Sequence, residues 1–155
     1  MAVMSGLQDE LVAAFPPQPI PESLFDDPRG SFVTTYPDDT VFIAGVRDRA
    51  WNELTSAFVV EHGGAPSFMT PAMFVALIPA YLAALLRDDI ETWMPENVLR
   101  TLTRQHEWDP EFDGRMELLT PLQRSTIARV LDALLASDRY DYIRDRIAAA
   151  RASWQ

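Results

Sequence analysis

The sequence predicts an all-α fold: one compact domain of about six to seven helices over residues 1–155, with an extended Pro-rich strap at 16–35. Three observations carry this. Apolar residues recur again and again at helical spacing, as in Trp51, Leu54, Phe58 and Val59. Thr70-Pro71 and Thr120-Pro121 each place a capping hydroxyl before a proline at the first helical position. A chain of 155 residues that is 48% hydrophobic, with 4 Trp, 4 Tyr and 8 Phe, has the size and bulk for one core but is short for two domains.

Taken in order, Ser5-x-x-Gln8 has the form of a capping box, and Leu7, Leu11 and Phe15 follow on one face, so a first helix is expected over about 5–15. Pro16-Pro17 ends it. From Pro16 to Thr35 prolines and turn formers dominate, and the expectation is a surface strap without helix. Pro37-Asp38-Asp39 opens a second helix, although Thr40-Val-Phe-Ile43 has strand propensity. Trp51 to Val59 form a third, stopped by Gly63-Gly64.

Thr70-Pro71 launches a helix that Pro79 is expected to kink or break. The stretch Phe68–Leu86 is free of charge, but a helix begun at Pro71 reaches only ~24 Å by Leu86, short of the ~30 Å of a bilayer core. It therefore reads as a buried central helix. Pro95 starts another, with Val98, Leu99 and Leu102 inward. Residues 107–117 read as an acidic turn between helices. Thr120-Pro121 leads into Leu122, Ile127, Val130, Leu131, Leu134 and Leu135, an amphipathic run ending near Ser137, and a last helix over about 138–152 turns Tyr142, Ile143 and Ile147 inward.

The formal net charge is −10, and all 13 basic residues are Arg. Without Lys there is no P-loop lysine, Schiff base or kinase-type ATP lysine. Without Cys there is no disulfide, thiolate metal site or cysteine nucleophile. The acidity is local: residues 1–45 hold seven acids and one Arg, residues 91–120 hold seven and three, and residues 121–155 hold four and six. Such a field disfavours nucleic acid, whose phosphates are read by basic surface. No membrane partner is expected either. The N-terminus has neither the basic region nor the apolar run of a secretory signal, so a cytoplasmic location is expected.

Asp109-Pro-Glu111-Phe-Asp113-Gly114 sets acids at positions 1, 3 and 5 and Gly at 6, like an EF-hand loop. The twelfth position, which should hold a bidentate Glu, is Thr120, so no metal is expected. His106-Glu107 is followed by Pro110 where a zinc protease needs His, and His62 is a distant second imidazole; both read as surface histidines near helix ends. None of the 8 Ser lies in a nucleophile elbow. The acidic pairs Asp26-Asp27, Asp38-Asp39 and Asp88-Asp89 suit helix ends better than acid–base catalysis. No catalytic residue and no cofactor is predicted.

The series Ile43-Ala-Gly45, Arg49-Ala-Trp51-Asn-Glu-Leu54, Phe68-Met-Thr-Pro-Ala-Met-Phe74, Ile78-Pro-Ala-Tyr-Leu82 and Thr120-Pro-Leu-Gln123 resembles an uncharacterised family of small, acidic, helical bacterial proteins. The resemblance spans residues 38–135. It implies a loose association with immunity to polymorphic toxins and offers no catalytic residues to carry over.

Charge and resemblance together lead to the expectation of a binding protein without catalysis, an immunity or antitoxin protein that neutralises a cognate toxin. The partner is expected to be a protein, a basic toxin or secreted effector, steered by charge. The alternative is a secretion-system adaptor or effector chaperone, and an enzyme of unfamiliar type ranks third. The expected partner-binding residues are Glu22, Phe25, Asp26 and Asp27 in the strap, with Glu107, Trp108, Asp109, Glu111, Phe112, Asp113 and Glu117 in the second acidic segment. Aromatic anchors ringed by acids are the basis of that choice.

Overall fold

The structure is a computed structural model that describes residues 2–26, 28–33, 36–87 and 94–154. Among them the regular structure is helical, apart from an isolated antiparallel bridge between Phe32 and Met69. The α-helices are α1 (Ala2–Ala14), α2 (Ser23–Asp26), α3 (Pro28–Ser31), α4 (Asp39–Val46), α5 (Ser56–Glu61), α6 (Pro71–Leu85), α7 (Met94–Thr101), α8 (Pro110–Leu118), α9 (Pro121–Leu135) and α10 (Arg144–Ala152). Three 3-10 segments, Trp51–Glu53, Ala65–Phe68 and Asp138–Ile143, join them.

There are more segments than the expected six to seven because two expected helices split, two short ones appear in the strap, and Ala65–Phe68 and Pro110–Leu118 are helical as well. Residues 51–63 do not form one helix: Leu54 is extended, and Thr55 caps α5 by accepting from the Phe58 N–H at 3.1 Å. Trp51, Leu54 and Val59 still point inward. The last helix begins as a 3-10 segment, in which residues three apart eclipse. Tyr140 and Ile143 are therefore the inward pair, and Tyr142, expected inside, is 65% exposed. In the strap, residues 16–21 carry no helix, but α2 and α3 are single helical turns where none was expected. Ser31 closes that turn pair by donating to the Leu24 carbonyl.

Most of the acidic turn expected at 107–117 is helix α8 instead. Asp109 caps α8, its Oδ1 accepting from the Phe112 N–H at 3.1 Å, and Pro110 takes the first helical position. Asp-Pro thus works here as Thr-Pro does at α6 and α9. Thr120 caps α9 with a full capping box: its hydroxyl accepts from Gln123 N, and Gln123 Oε1 accepts from Thr120 N. The Ser5-x-x-Gln8 pattern is not a cap, since α1 starts before it, and Gln8 instead donates to the Ala83 carbonyl at 3.0 Å.

Helix α6 is the axis of the fold. It runs through Pro79 unbroken, and 11 of its 15 residues are buried. Helices α1, α3, α5, α8 and α9 and the Trp51–Glu53 turn all pack on it, while α9 lies between α1 and α10. Buried aromatics bolt distant segments together through backbone carbonyls. Trp51 Nε1 donates to Phe15 O (2.8 Å), Tyr81 Oη to His62 O (2.8 Å), Tyr140 Oη to Leu85 O (2.7 Å) and Trp154 Nε1 to Leu102 O (2.6 Å). The Thr70 hydroxyl caps α6 while donating to Gly30 O at 2.8 Å, and the Thr70 N–H reaches Ser31 O at 2.9 Å. These bonds tie the end of the strap to the start of the central helix.

Two helical glycines are expected to respond oppositely to alanine. A Cβ at Gly45 would lie 2.3 Å from Cε2 of Phe58, whose ring is stacked on Phe42 and cannot withdraw. A Cβ at Gly6 meets nothing within 4 Å. Gly45→Ala should lower stability by about 1–3 kcal/mol, and Gly6→Ala should raise it by about 0.5–1 kcal/mol. Urea denaturation of both variants reads the two signs directly.

Candidate protein-binding surface

The two groups of expected partner-binding residues lie on different neighbours of the core, since α2 packs on α3 whereas α8 packs on α6. In the first group Glu22 is exposed and its carboxylate stands 3.7 Å from Arg47 Nε. The same guanidinium lies 5.0 Å from the centroid of Phe25, which is half-buried. Phe25 is thus covered by a cation of its own chain and is not a free anchor. Asp27 and the side chain of Asp26 lie outside the described residues.

The second group divides between solvent and core. Trp108 is 80% exposed, the most exposed of the large hydrophobic side chains described. Glu107, Glu111 and Glu117 are exposed around it and along α8, and none of them is in an ion pair with another described residue. Phe112, expected to be an anchor, is a core residue at 2% exposure: it meets Trp154 edge-on at 5.6 Å and carries the Arg104 guanidinium 4.8 Å from its centroid. Asp113 is engaged by the same Arg104. One face of α8 therefore seats the helix, while the tip before it presents indole and acid.

Asp109 sets that tip. Its Oδ1 caps α8, and its Oδ2 accepts from the Gln105 N–H at 2.9 Å. Partial burial works to raise the pKa of this carboxyl, but the two backbone donors, with Arg104 and Arg115 nearby, outweigh burial and hold it below its ordinary value. Both oxygens being committed to backbone, Asp109 does not converge with Glu111 and Asp113 as calcium ligands must. No group of three or more His, Asp or Glu among the described residues is placed to hold a metal ion.

Other residues differ from the sequence reading or escaped it. Leu122, expected in the apolar run of α9, is 58% exposed, and Leu118 at the end of α8 is 51% exposed. Leu118 sits seven residues after Glu111, so helical spacing puts it on the outer face, a signal that was available in the sequence. Arg115 is 6% exposed, its guanidinium 4.5 Å from the Phe74 centroid and donating to the Thr101 carbonyl at 3.0 Å. Desolvation lowers its pKa while Glu111 and Asp109 work to raise it, so its charge partly offsets those acids from within the core.

His62, expected at the surface, is 2% exposed. Its Nδ1 lies 2.8 Å from the Tyr36 hydroxyl, and the ring is enclosed by Phe42 and Phe58 at 5.3 and 4.6 Å. Its Nε2 has no hydrogen-bond partner among the described residues. The imidazole tautomer decides which of Tyr36 and Nδ1 donates, and the bond joins them in either case. Neither of the two cavities described for the structure reaches this imidazole. His62 joins the residue after the strap, the end of α5 and, through Tyr81, the central helix.

Tyr36→Phe should lower stability by about 1–2 kcal/mol, because it leaves His62 Nδ1 buried without its hydrogen-bond partner. Asp109→Ala should cost about 1 kcal/mol at neutral pH through loss of the cap. Because the folded-state pKa of Asp109 is depressed, its contribution is present above the unfolded value of 3.8 and is lost as pH falls through the folded value. Chemical denaturation followed downward from pH 3.8 should therefore show a shallower loss of stability in Asp109→Ala than in the parent.

No curated protein matches the chain, and no solved structure does. A family model matches residues 32–155, which include α4 to α10 and the exposed Trp108 tip but leave out α1, α2 and residues 16–21. The chain therefore belongs to DUF6714, a family of unknown function.

Proposed function

We propose that this protein is a non-catalytic binding protein that neutralises a basic protein partner, an immunity protein acting on a cognate toxin. The observation that carries this reading is Trp108, 80% exposed at the head of α8, with Glu107 and Glu111 beside it and outside any ion pair with described residues. A monomer gains nothing by holding an indole in water. A rigid aromatic anchor with a charged rim is what a small, tight interface requires. Asp109 and Arg104 preorganise the tip, which limits the entropy lost on docking. The unpaired acids supply the long-range attraction that brings a basic surface into register.

The test is co-expression with the product of the neighbouring gene. That product is expected to be toxic alone and harmless with this protein, and the pair should copurify. Trp108→Ala should weaken the complex by about 2 kcal/mol or more, chiefly through faster dissociation. Replacing Glu107, Glu111 and Glu117 together by Gln should instead slow association and flatten its dependence on salt. A neighbour that is not toxic, or a complex indifferent to Trp108→Ala, would remove the reading.

A further inference from the structure

Every basic residue of this chain is Arg, whose planar guanidinium can lie on an aromatic face and hold a carboxylate at the same time. Two places in the structure use both abilities together. The Arg47 guanidinium lies 5.0 Å from the Phe25 centroid, with its Nε 3.7 Å from the Glu22 carboxylate. The Arg104 guanidinium lies 4.8 Å from the Phe112 centroid and pairs with Asp113. In the first the acid stands three residues from the aromatic, and in the second it is the next residue.

Glu107, Trp108 and Glu111 repeat that spacing with the cation left out. Glu107 immediately precedes Trp108, and Glu111 follows it by three residues. Both acids are exposed and form no ion pair with another described residue, and no described arginine lies over the indole. The arginines nearest in sequence are committed elsewhere. Arg104 serves Phe112 and Asp113 and donates to the Glu107 carbonyl at 3.3 Å, and Arg115 is turned inward onto Phe74.

The three residues are held on one short loop, because Asp109 takes the Gln105 N–H on one carboxylate oxygen and the Phe112 N–H on the other. The positive end of α8 would by itself oppose a cation there. Asp109 at the cap and Glu111 and Asp113 in the first turn offset it, and from 104 to 115 four acids stand against two arginines.

We infer that Trp108 is a platform for an arginine of the protein partner, the guanidinium lying flat on the indole with Glu107 and Glu111 at its edge. The inference rests on the reading of the Trp108 tip as the docking surface and names the side chain that the tip takes. Indole offers a cation the strongest of the aromatic faces. A guanidinium suits the place better than an ammonium, since it is planar, more weakly hydrated and able to bond two carboxylate oxygens. An indole plugged into an apolar pocket would instead press its flanking carboxylates against surface that cannot compensate them.

The test is an amide and indole NMR titration of the full chain, at constant ionic strength, with three blocked peptides: acetyl-Gly-Arg-Gly-Arg-Gly-amide and its counterparts with Lys or Leu in place of Arg. The Arg peptide should saturably shift the amides of Glu107 and Glu111 and the Trp108 indole N–H, assigned by its loss in Trp108→Leu, with Kd of about 10–100 mM. The Lys peptide should bind about threefold or more weakly, and the Leu peptide should leave the tip unshifted. Trp108→Leu, at an exposed position, should weaken the Arg peptide about threefold or more, and more than the Lys peptide. Equal binding of the Arg and Lys peptides, or Arg binding indifferent to Trp108→Leu, reduces the tip to an acidic patch and overturns the inference. Preference for the Leu peptide marks a plug and overturns it, as does the absence of saturable shifts at 107–111. The titration needs no toxin, so its failure is separable from that of co-expression. A neighbouring product that is neutralised through Trp108, beside a tip without preference for Arg, removes this inference alone.

Discussion

Helix α6 has no polar face, and the rest of the chain is arranged around that fact. With 11 of 15 residues buried it must be covered on every side, so helices before and after it in sequence are drawn onto it together. Both ends of α6 are tied to distant segments. Thr70 satisfies the first turn while holding Gly30 and Ser31, and the Tyr140 hydroxyl donates to the Leu85 carbonyl at the other end. Substituting Phe74 or Leu82 would open a cavity beneath several elements at once, a loss of about 2–5 kcal/mol each.

Within that cover the polar atoms of the aromatics provide direction that apolar packing lacks. Each of Trp51, Tyr81, Tyr140 and Trp154 delivers one donor to one backbone carbonyl, so each ring fits in one orientation. Arg115 does the same from the Phe74 face with a guanidinium, by way of the Thr101 carbonyl. The buried polar set is small and nearly complete, with His62 Nε2 and Arg115 Nε the unpartnered buried side-chain atoms among the described residues. Arg115 apart, the described charged residues are left nearer the surface, where Glu107, Glu111 and Glu117 form no ion pair with another described residue while Asp113 is held by Arg104.

Starts of helices were legible in the sequence wherever a capping side chain stands next to proline. Thr70-Pro71 and Thr120-Pro121 announce α6 and α9 because the two residues meet independent demands of the same helix end. Asp109-Pro110 is the same signal, and it was masked by the resemblance of the following acids to a calcium loop. Breaks were not legible, because Leu54 and Tyr140 carry ordinary helical side chains and leave the helix for reasons of tertiary packing. The Trp108 tip could be read from its neighbours in sequence. Phe112 could not be told from Trp108 by type, and only the packing of Trp154 and Arg104 against it separates core from surface. His62 was misplaced since nothing local marks a helix-end histidine as buried, and the Tyr36 that partners it is 26 residues away.

The placement of α9 between α1 and α10 sets an order of events during synthesis. Helix α1 leaves the ribosome first, yet the Gln123 side chain that secures its end through the Ala14 carbonyl is 109 residues downstream. Domains settle as units once their last partners have emerged, and until then the apolar edge of α1 is without its mate. Helix α1 must therefore wait, exposed to chaperones and proteases, for a helix synthesised much later. Slowing translation between the codons for α1 and those for α9 should lengthen that vulnerable interval.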